Sequence, residues 1–462
     1  MPVCAPSNAV TSTATRHGDS QNLCTPWRAT RANGPDRFDL VPHRGKDTGN
    51  SAPGATRLRS CALRGAGSPQ AVTKVTPVVD RQDSAIVDQR RFPDGFESCV
   101  GVILVNYAVE PQILRTTVAA LLGSGRVVGE IVVVDNASPR LRDAARSAVT
   151  ELDPQHRIVR WIDEPRNLGF AGGVNAGLRA LRCQSRFVFL CNPDAVVEPD
   201  AIALCVDTLL AAPESYVAVA PKMLLSGHGL DEQVIDSVGN AVNNRGEAFN
   251  IGLGQPDIGQ YDDSTPVFGP CFGAGLFRRE SFGTTSVGLL DEDLFLYYED
   301  VDWNWRAQLL GYTAITQPKA IVHHSMSITM RDRPYDDKFS LTERNLILCT
   351  LKNFELRHAI RVATRRSLGL LKGSMTGRHY PMPGFRALGG VLRQLPRTLR
   401  KRRTLQRRRV RTDQEIMSFS VGEQTFFDAV RYQPVEREHA REFAQQRLQR
   451  RTQTTEPPNP PG

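Results

Sequence analysis

Between Leu289 and His324 the chain reads LLDEDLFLYYEDVDWNWRAQLLGYTAITQPKAIVHH, which sets Asp293, Glu299, Asp300 and Asp302 beside two tryptophans and closes on a histidine pair. Glu299 and Asp300 follow an apolar segment, Leu294, Phe295 and Leu296, almost directly. A carboxylate at the rim of an apolar cleft is placed to act as a general base, so these two are the candidate catalytic residues. From Val301 the apolar positions Trp305, Leu309 and Leu310 recur near helical spacing, and Gly311 supplies a stop. Asp300 and Asp302 then fall in a first helical turn, where the dipole favours negative charge; for Asp302 that alone is a sufficient explanation.

Such residues need a frame, and one begins at Ser98. Residues 99–107, CVGVILVNY, form a continuous apolar run, as a strand buried on both faces requires. A helical pattern over 113–122 follows, then strand-like runs at 130–138, at 158–162 and in RFVFLCNPDA, which ends at Asp194. Repeated βα units predict an α/β fold with a mostly parallel sheet and ligands at the carboxyl ends of its strands. Asn106, Asp135, Asn136 and Asp194 stand at those ends. The glycine-rich segment 167–177 leads into a helix whose backbone N–H groups suit an anion, although the same glycines also serve a tight turn and close helix packing. It is neither GxGxxG nor a Walker loop.

Composition divides the chain. Residues 1–96 are rich in Ser, Thr, Pro, Gly and Arg without a sustained period, and the expectation there is disorder. A catalytic domain is expected over 97–354, a basic amphipathic helical extension over 355–448, and a disordered tail over 449–462. Neither a secretory h-region nor an apolar run of ~20 residues occurs, so the expected location is cytoplasmic, peripheral on the inner face of the cell membrane. Nine cysteines without a CxxC pair read as free thiols of a reducing compartment. The formal charge of +9 is local: residues 397–411 carry nine Lys/Arg and no acid, which leaves the remainder neutral. Ile360, Leu368, Leu370 and Leu371 interleaved with arginine suit a helix lying on an anionic membrane, each basic residue adding ~1 kcal/mol. A solvated charged helix and a nucleic-acid patch are the alternatives for this stretch.

In order, VILVNYAVE, VVVDNASP, RNLGFAGGVNAGL, FLCNPDAVVEPDAI, GPCFGAGLFRRESF, FLYYEDVDWNWRAQLLGY and KAIVHHSMS resemble the family 2 glycosyltransferases. The likeness covers residues 98–354 and is nearest to the rhamnosyltransferase-like branch, which acts on cell-surface polysaccharides. It implies a GT-A fold, a nucleotide-diphosphate sugar donor, Mg²⁺ or Mn²⁺, and inversion at the anomeric centre in one displacement. The implied acceptor is a polysaccharide or lipid-linked glycan, with rhamnose the leading donor sugar.

Residue by residue, the resemblance gives Asp135 to the nucleobase or ribose, with Asn106 and Tyr107 lining the same pocket. Asn136, Asn167, Gly169 and Gly172 join the donor site, and Gly273 and Ala274 form its floor, with Arg278 and Arg279 as candidate phosphate partners. Asp194 and His324 would hold the cation. Asn192 replaces an acid, so there is no full DxD, and His323 is the alternative ligand. Asp300 matches the base, and Glu299 would orient it or the acceptor. Tyr298 and Trp303 are candidate sugar-stacking groups, whereas Trp305 suits the core. Two rivals remain. A nucleotidyltransferase would want a Gly-rich basic loop where this chain has VNYAVE. A non-catalytic nucleic-acid-binding protein using the Arg tract would not need Asp194, Asp300 and His324, and no nucleic-acid partner is expected.

Overall fold

The computed structural model describes residues 100–226, 234–325, 335–376 and 381–419. The chain divides into two units, Met1–Asp80 and Arg81–Gly462, and every described residue lies in the second. The expectations for residues 1–96, 420–448 and 449–462 fall outside the described residues.

Four apolar runs build one half of the sheet: β1 (Val100–Asn106), β2 (Val128–Asp135), β3 (Val159–Asp163) and β4 (Phe187–Cys191). They pair in parallel in the order β3-β2-β1-β4. Between them run α1 (Pro111–Gly123), α2 (Arg142–Thr150) and α3 (Gly169–Ala180). Although β1 is apolar at almost every position, its faces differ. Val102 and Leu104 pack in the core under α1, while Ile103 and Val105 pack with α3. A period of two thus sorts even a fully buried strand.

The second half adds β5 (Ala195–Val197), α4 (Ala201–Ala211), β6 (Tyr216–Leu225), β7 (Ile235–Ser237), the hairpin β8 (Asn240–Val242) with β9 (Ala248–Asn250), β10 (Pro266–Val267), β11 (Ala274–Arg278), α5 (Glu299–Leu309) and β12 (Thr313–His324). The main sheet continues from β4 through antiparallel β11 to β6, β12 and β10, with β6 and β12 parallel. The expected α/β fold, a mostly parallel sheet flanked by helices, is therefore the one present.

Beyond the sheet come α6 (Tyr335–Asn353), α7 (Leu356–Thr376), α8 (Pro381–Gln406) and α9 (Asp413–Met417). A third core cluster joins Val301, Trp305 and Leu309 of α5 to Leu346, Ile347, Phe354, Ala363 and Leu405. Part of the Arg tract is spent inside the fold. Arg402 donates to the carbonyls of Leu351 (2.8 Å) and Phe354 (2.6 Å), and Arg411 to those of Tyr312 (2.6 Å) and Gly311 (2.9 Å). Arg408 donates to Thr285 and Ser286, and Lys401 pairs with Asp291 and Asp293. The ends of α5 and α6 leave carbonyls without intrahelical partners, and Arg402 of α8 and Arg411 just beyond it satisfy them. Arg397, Arg400, Arg403 and Arg407 stay exposed, beside exposed apolar Leu356, Ile360, Leu368 and Met375 of α7 and Met382 and Leu392 of α8. Among the described residues no helix is long and apolar enough to cross a membrane.

Candidate active site

The carboxyl end of β4 turns at Asn192 and Asp194 into β5, and β5 pairs with the last residues of β12, Ala195 opposite His324. This pairing brings Asp194 and His324 together across the fold, with His324 Nε2 3.3 Å from Asp194 Oδ1 and 3.2 Å from Asn192 Nδ2. On its other side His324 Nδ1 lies 2.8 Å from Asp236 Oδ2. Burial alone would lower the pKa of this ring, but the hydrogen bonds to Asp194 and Asp236 outweigh it and raise the value to about 10. The two carboxylates thus favour a proton on the ring, which a cation binding at Nε2 would displace. Asp194 keeps one buried oxygen, Oδ2, without a hydrogen-bond partner among the described residues. His323 points to the opposite face and pairs with Glu198 at 3.1 Å, as strand alternation requires.

Two further carboxylates stand at the start of α5. Glu299 is buried and its Oε2 has no partner among the described residues. Burial, and then the neighbouring charge of Asp300, pushes its carboxyl well above the ordinary range. Asp300 is half-buried. Burial raises its pKa too, partly offset by Asn240, whose Nδ2 donates to Asp300 Oδ2 at 2.7 Å, and by backbone N–H groups. Burial, with Asp300 and then Asp236, also drives the Cys271 thiol well upward, so both carboxylates act on one sulfur. Residues 272 and 273 lie between the two groups: Asp300 accepts from the Phe272 N–H, and a Cβ on Gly273 would lie 3.4 Å from Asn192 Nδ2, which contacts His324 at 3.2 Å.

The segment entering α5 is held in an unusual backbone. Phe295, Tyr297 and Tyr298 have φ of 67°, 69° and 69°, a left-handed region that costs non-glycine residues of order 1–3 kcal/mol each. Asn345 of α6 stabilises it, donating from Nδ2 to the carbonyls of Leu294 (2.9 Å), Leu296 (2.9 Å) and Tyr297 (2.7 Å). The sequence reading missed Asn240, Asn345 and Asp236. Nothing local marks them, because each acts on a residue 48 or more positions away.

At the nucleotide end the polar groups are brought together and largely satisfy each other. Asp135 is fully buried, accepting from Asn106 Nδ2 (2.8 Å), Ser138 N (3.1 Å) and Arg142 Nε (3.0 Å). Tyr107 is half-buried beside them. Asn136 accepts from Leu168 N at 2.8 Å and donates to Asn167 Oδ1 (3.1 Å) and the Gly169 carbonyl (3.0 Å). Two N–H groups in the first turn of α3 already have partners: Gly169 N donates to Asn167 Oδ1 and Ala171 N to the Phe295 carbonyl. A Cβ on Gly169 would lie 2.1 Å from Phe295 O, and one on Gly173 or Gly177 2.6 or 2.5 Å from Val105 or Ile103. Close packing of α3 on β1 and on the strained segment is what these glycines permit.

In the GPCFGAGLFRRESF block Asn192 N donates to Gly273 O at 2.8 Å, and Ala274 stands opposite Cys191. Its arginines engage backbone carbonyls. Arg278 is buried and donates to the carbonyls of Tyr216 and Leu209, and Arg279 to those of Cys183 and Leu181. The stacking aromatics are core as well. Trp303 packs among Phe272, Phe277 and Phe282, and Tyr298 is buried with its hydroxyl on the hairpin backbone. Trp305, expected in the core, meets Phe354 edge-on at 4.5 Å between centroids. The five described cysteines are free.

Residues 100–284 match the family model described as Glycosyl transferase family 2. Over this stretch the chain is similar to the family 2 glycosyltransferases. A curated relative, the low-salt glycan biosynthesis hexosyltransferase Agl10 of Haloferax volcanii, is 26% identical over 212 residues, 45% of this chain. The chain spans 61% of that relative's length. Among solved structures, GalNAc-T7 with UDP, GalNAc and Mn²⁺ matches with TM-score 0.45 and 14% identity over 56% of this chain and 48% of that one. The mannosyltransferase PcManGT of Pyrobaculum calidifontis, with GDP-Man and Mn²⁺, matches with TM-score 0.39 and 18% identity over 68% and 86%. The matched stretch holds β1 to β11 and Asp194; α5 with Glu299 and Asp300, and β12 with His324, follow it in sequence.

Proposed function

We propose that this chain is an inverting, metal-dependent glycosyltransferase of the rhamnosyltransferase-like branch. It transfers a sugar, with rhamnose the leading candidate, from a nucleotide-diphosphate donor to a polysaccharide or lipid-linked glycan acceptor. The observation that carries this is the half-buried Asp300, oriented by Asn240, together with a buried Asp194 that has an oxygen unpartnered among the described residues. An acceptor hydroxyl is a poor nucleophile at neutral pH, so a carboxylate in hydrogen-bond reach must take its proton as the bond to the anomeric carbon forms. Asp300 has that role. Glu299, its carboxyl pushed up by burial and by the neighbouring charge of Asp300, holds the adjoining position.

Among the described residues no set of three or more His, Cys, Asp or Glu side chains is arranged to hold a metal alone. Two donors nevertheless fit a divalent ion shared with substrate phosphates, because Mg²⁺ is usually held by one or two carboxylates while a His suits Mn²⁺. Asp194 Oδ2 and His324 Nε2 are those donors. When bound, the ion neutralises charge developing on the departing diphosphate. Asn106, whose Oδ1 is buried without a partner among the described residues, together with Tyr107 and Asp135 lines the nucleotide side.

The exposed apolar positions of α7 and α8, interleaved with arginines, support a peripheral place on an anionic membrane, where a lipid-linked acceptor would be met. Release of nucleoside diphosphate from a panel of nucleotide sugars, with and without Mn²⁺, tests the activity. No release from any donor, with a glycan or lipid-linked acceptor present, would overturn it.

A further inference from the structure

We propose that Asp236 is the positioning residue of the cation site, holding the His324 ring by Nδ1 so that Nε2 is presented beside Asp194. The inference rests on the cation reading above. Its basis is geometric. Asp236 Oδ2 lies 2.8 Å from Nδ1, while Nε2 faces Asp194 Oδ1 at 3.3 Å. All three residues are more than nine-tenths buried, at 2%, 4% and 8% exposure for Asp236, Asp194 and His324. The second oxygen of Asp194 is buried with no partner among the described residues.

The backbone shows how the contact is built. β7 and β12 flank the carboxyl half of β6 on opposite sides, with Leu224 paired to Ile235 in one direction and Leu225 to His324 in the other. Strands two places apart are ~10 Å apart, a gap that a carboxylate and an imidazole reaching toward one another can close. β7 has only three residues, and Asp236 is the middle one.

An imidazole binds a cation through a lone pair, and only one of its nitrogens can offer one while the other carries the proton. A carboxylate accepting from Nδ1–H fixes the proton there, orients the ring and makes Nε2 the better donor. Removing such a partner typically weakens metal binding roughly 10–100-fold. A purely structural ion pair would leave that affinity alone.

The test is Mn²⁺ binding by the full-length protein, with free Mn²⁺ read by electron paramagnetic resonance and no substrate present. Asp236→Asn should weaken binding roughly 10–100-fold, and it should add nothing further in a His324→Ala background. Mn²⁺ affinity within twofold of wild type in folded Asp236→Asn, while Asp194→Ala and His324→Ala lose binding, would overturn the positioning role and leave the cation reading standing. If Asp194→Ala and His324→Ala also bind normally, the cation reading falls and takes this inference with it. A measurement on the unmutated protein covers the case in which the variants do not fold. Nitrogen NMR of histidine-labelled protein with Mg²⁺ should show His324 protonated at Nδ1 alone. A proton retained on Nε2 under saturating Mg²⁺ would overturn the proposal equally.

Discussion

Asp300 and Asp302 lie two residues apart in the first turn of one helix, yet their surroundings are opposite. Asp302 is fully buried and matched on every side, by Lys352 at 2.7 Å, Arg306 at 2.9 Å and Asn353 at 3.0 Å. Asp300 is half-buried, has the neutral amide of Asn240 as its side-chain partner, and adjoins Glu299, whose Oε2 has none. One side of α5 is electrostatically closed and the other open. A run of acids therefore says little about chemistry until the partners are counted, because a saturated carboxylate has no capacity left for a substrate proton.

The comparison breaks first at the open side. Asp300→Asn should lower turnover roughly 10²–10⁴-fold, the span of general-base contributions, with melting temperature and donor binding nearly unchanged. Turnover within threefold of wild type would remove Asp300 from the chemistry.

The closed side should respond in stability instead. Lys352→Met leaves Asp291 and Asp302 buried without their main cation, which should cost about 3–5 kcal/mol in denaturant unfolding. Burial would raise both carboxyl pKa values, but Lys352 and its neighbours outweigh it and hold them below the ordinary range. Stability from such groups is present above the unfolded pKa of ~3.9 and is lost as pH falls through the lower folded values. Acid unfolding should accordingly move to higher pH in the variant, and circular dichroism against pH checks this.

Smaller is the effect of Asn345→Ala, which frees three carbonyls of the strained segment ahead of Glu299. A loss of about 1–3 kcal/mol is expected, with turnover falling more than affinity because the segment sets the pose of α5. Equal changes in kcat and KM would argue that Asn345 only stabilises. Smallest, and aimed at Asp300 alone, is Asn240→Ala. The amide favours the charged form, so losing it should raise the Asp300 pKa further and shift the acid limb of the pH–rate profile to higher pH. An unmoved limb would show that the hydrogen bond does not bear on the base.

Much of the frame was legible from the residues. Val100–Asn106 and Val128–Asp135 are strands because their apolar runs have no other stable place, and their carboxyl ends carry the polar groups that the βα repeat requires. Strand alternation put His323 and His324 on opposite faces, and helical spacing assigned Trp305 to the core. Those arguments are local, and local periodicity survives folding unchanged.

What the tertiary structure decided is which polar groups are already spent. In the glycine-rich segment 167–177, Asn136, Asn167 and Phe295 already take backbone groups and β1 fills the space beside the glycines. In the Arg tract, Arg402 and Arg411 are spent on carbonyls at the ends of α5 and α6, while Arg400, Arg403 and Arg407 stay exposed. Asp236, Asn240 and Asn345 carry no motif, and they matter only because strand order and helix packing bring them to His324, Asp300 and the strained segment. Sequence dictates what a side chain can donate or accept; only the fold determines whether a partner has already claimed it.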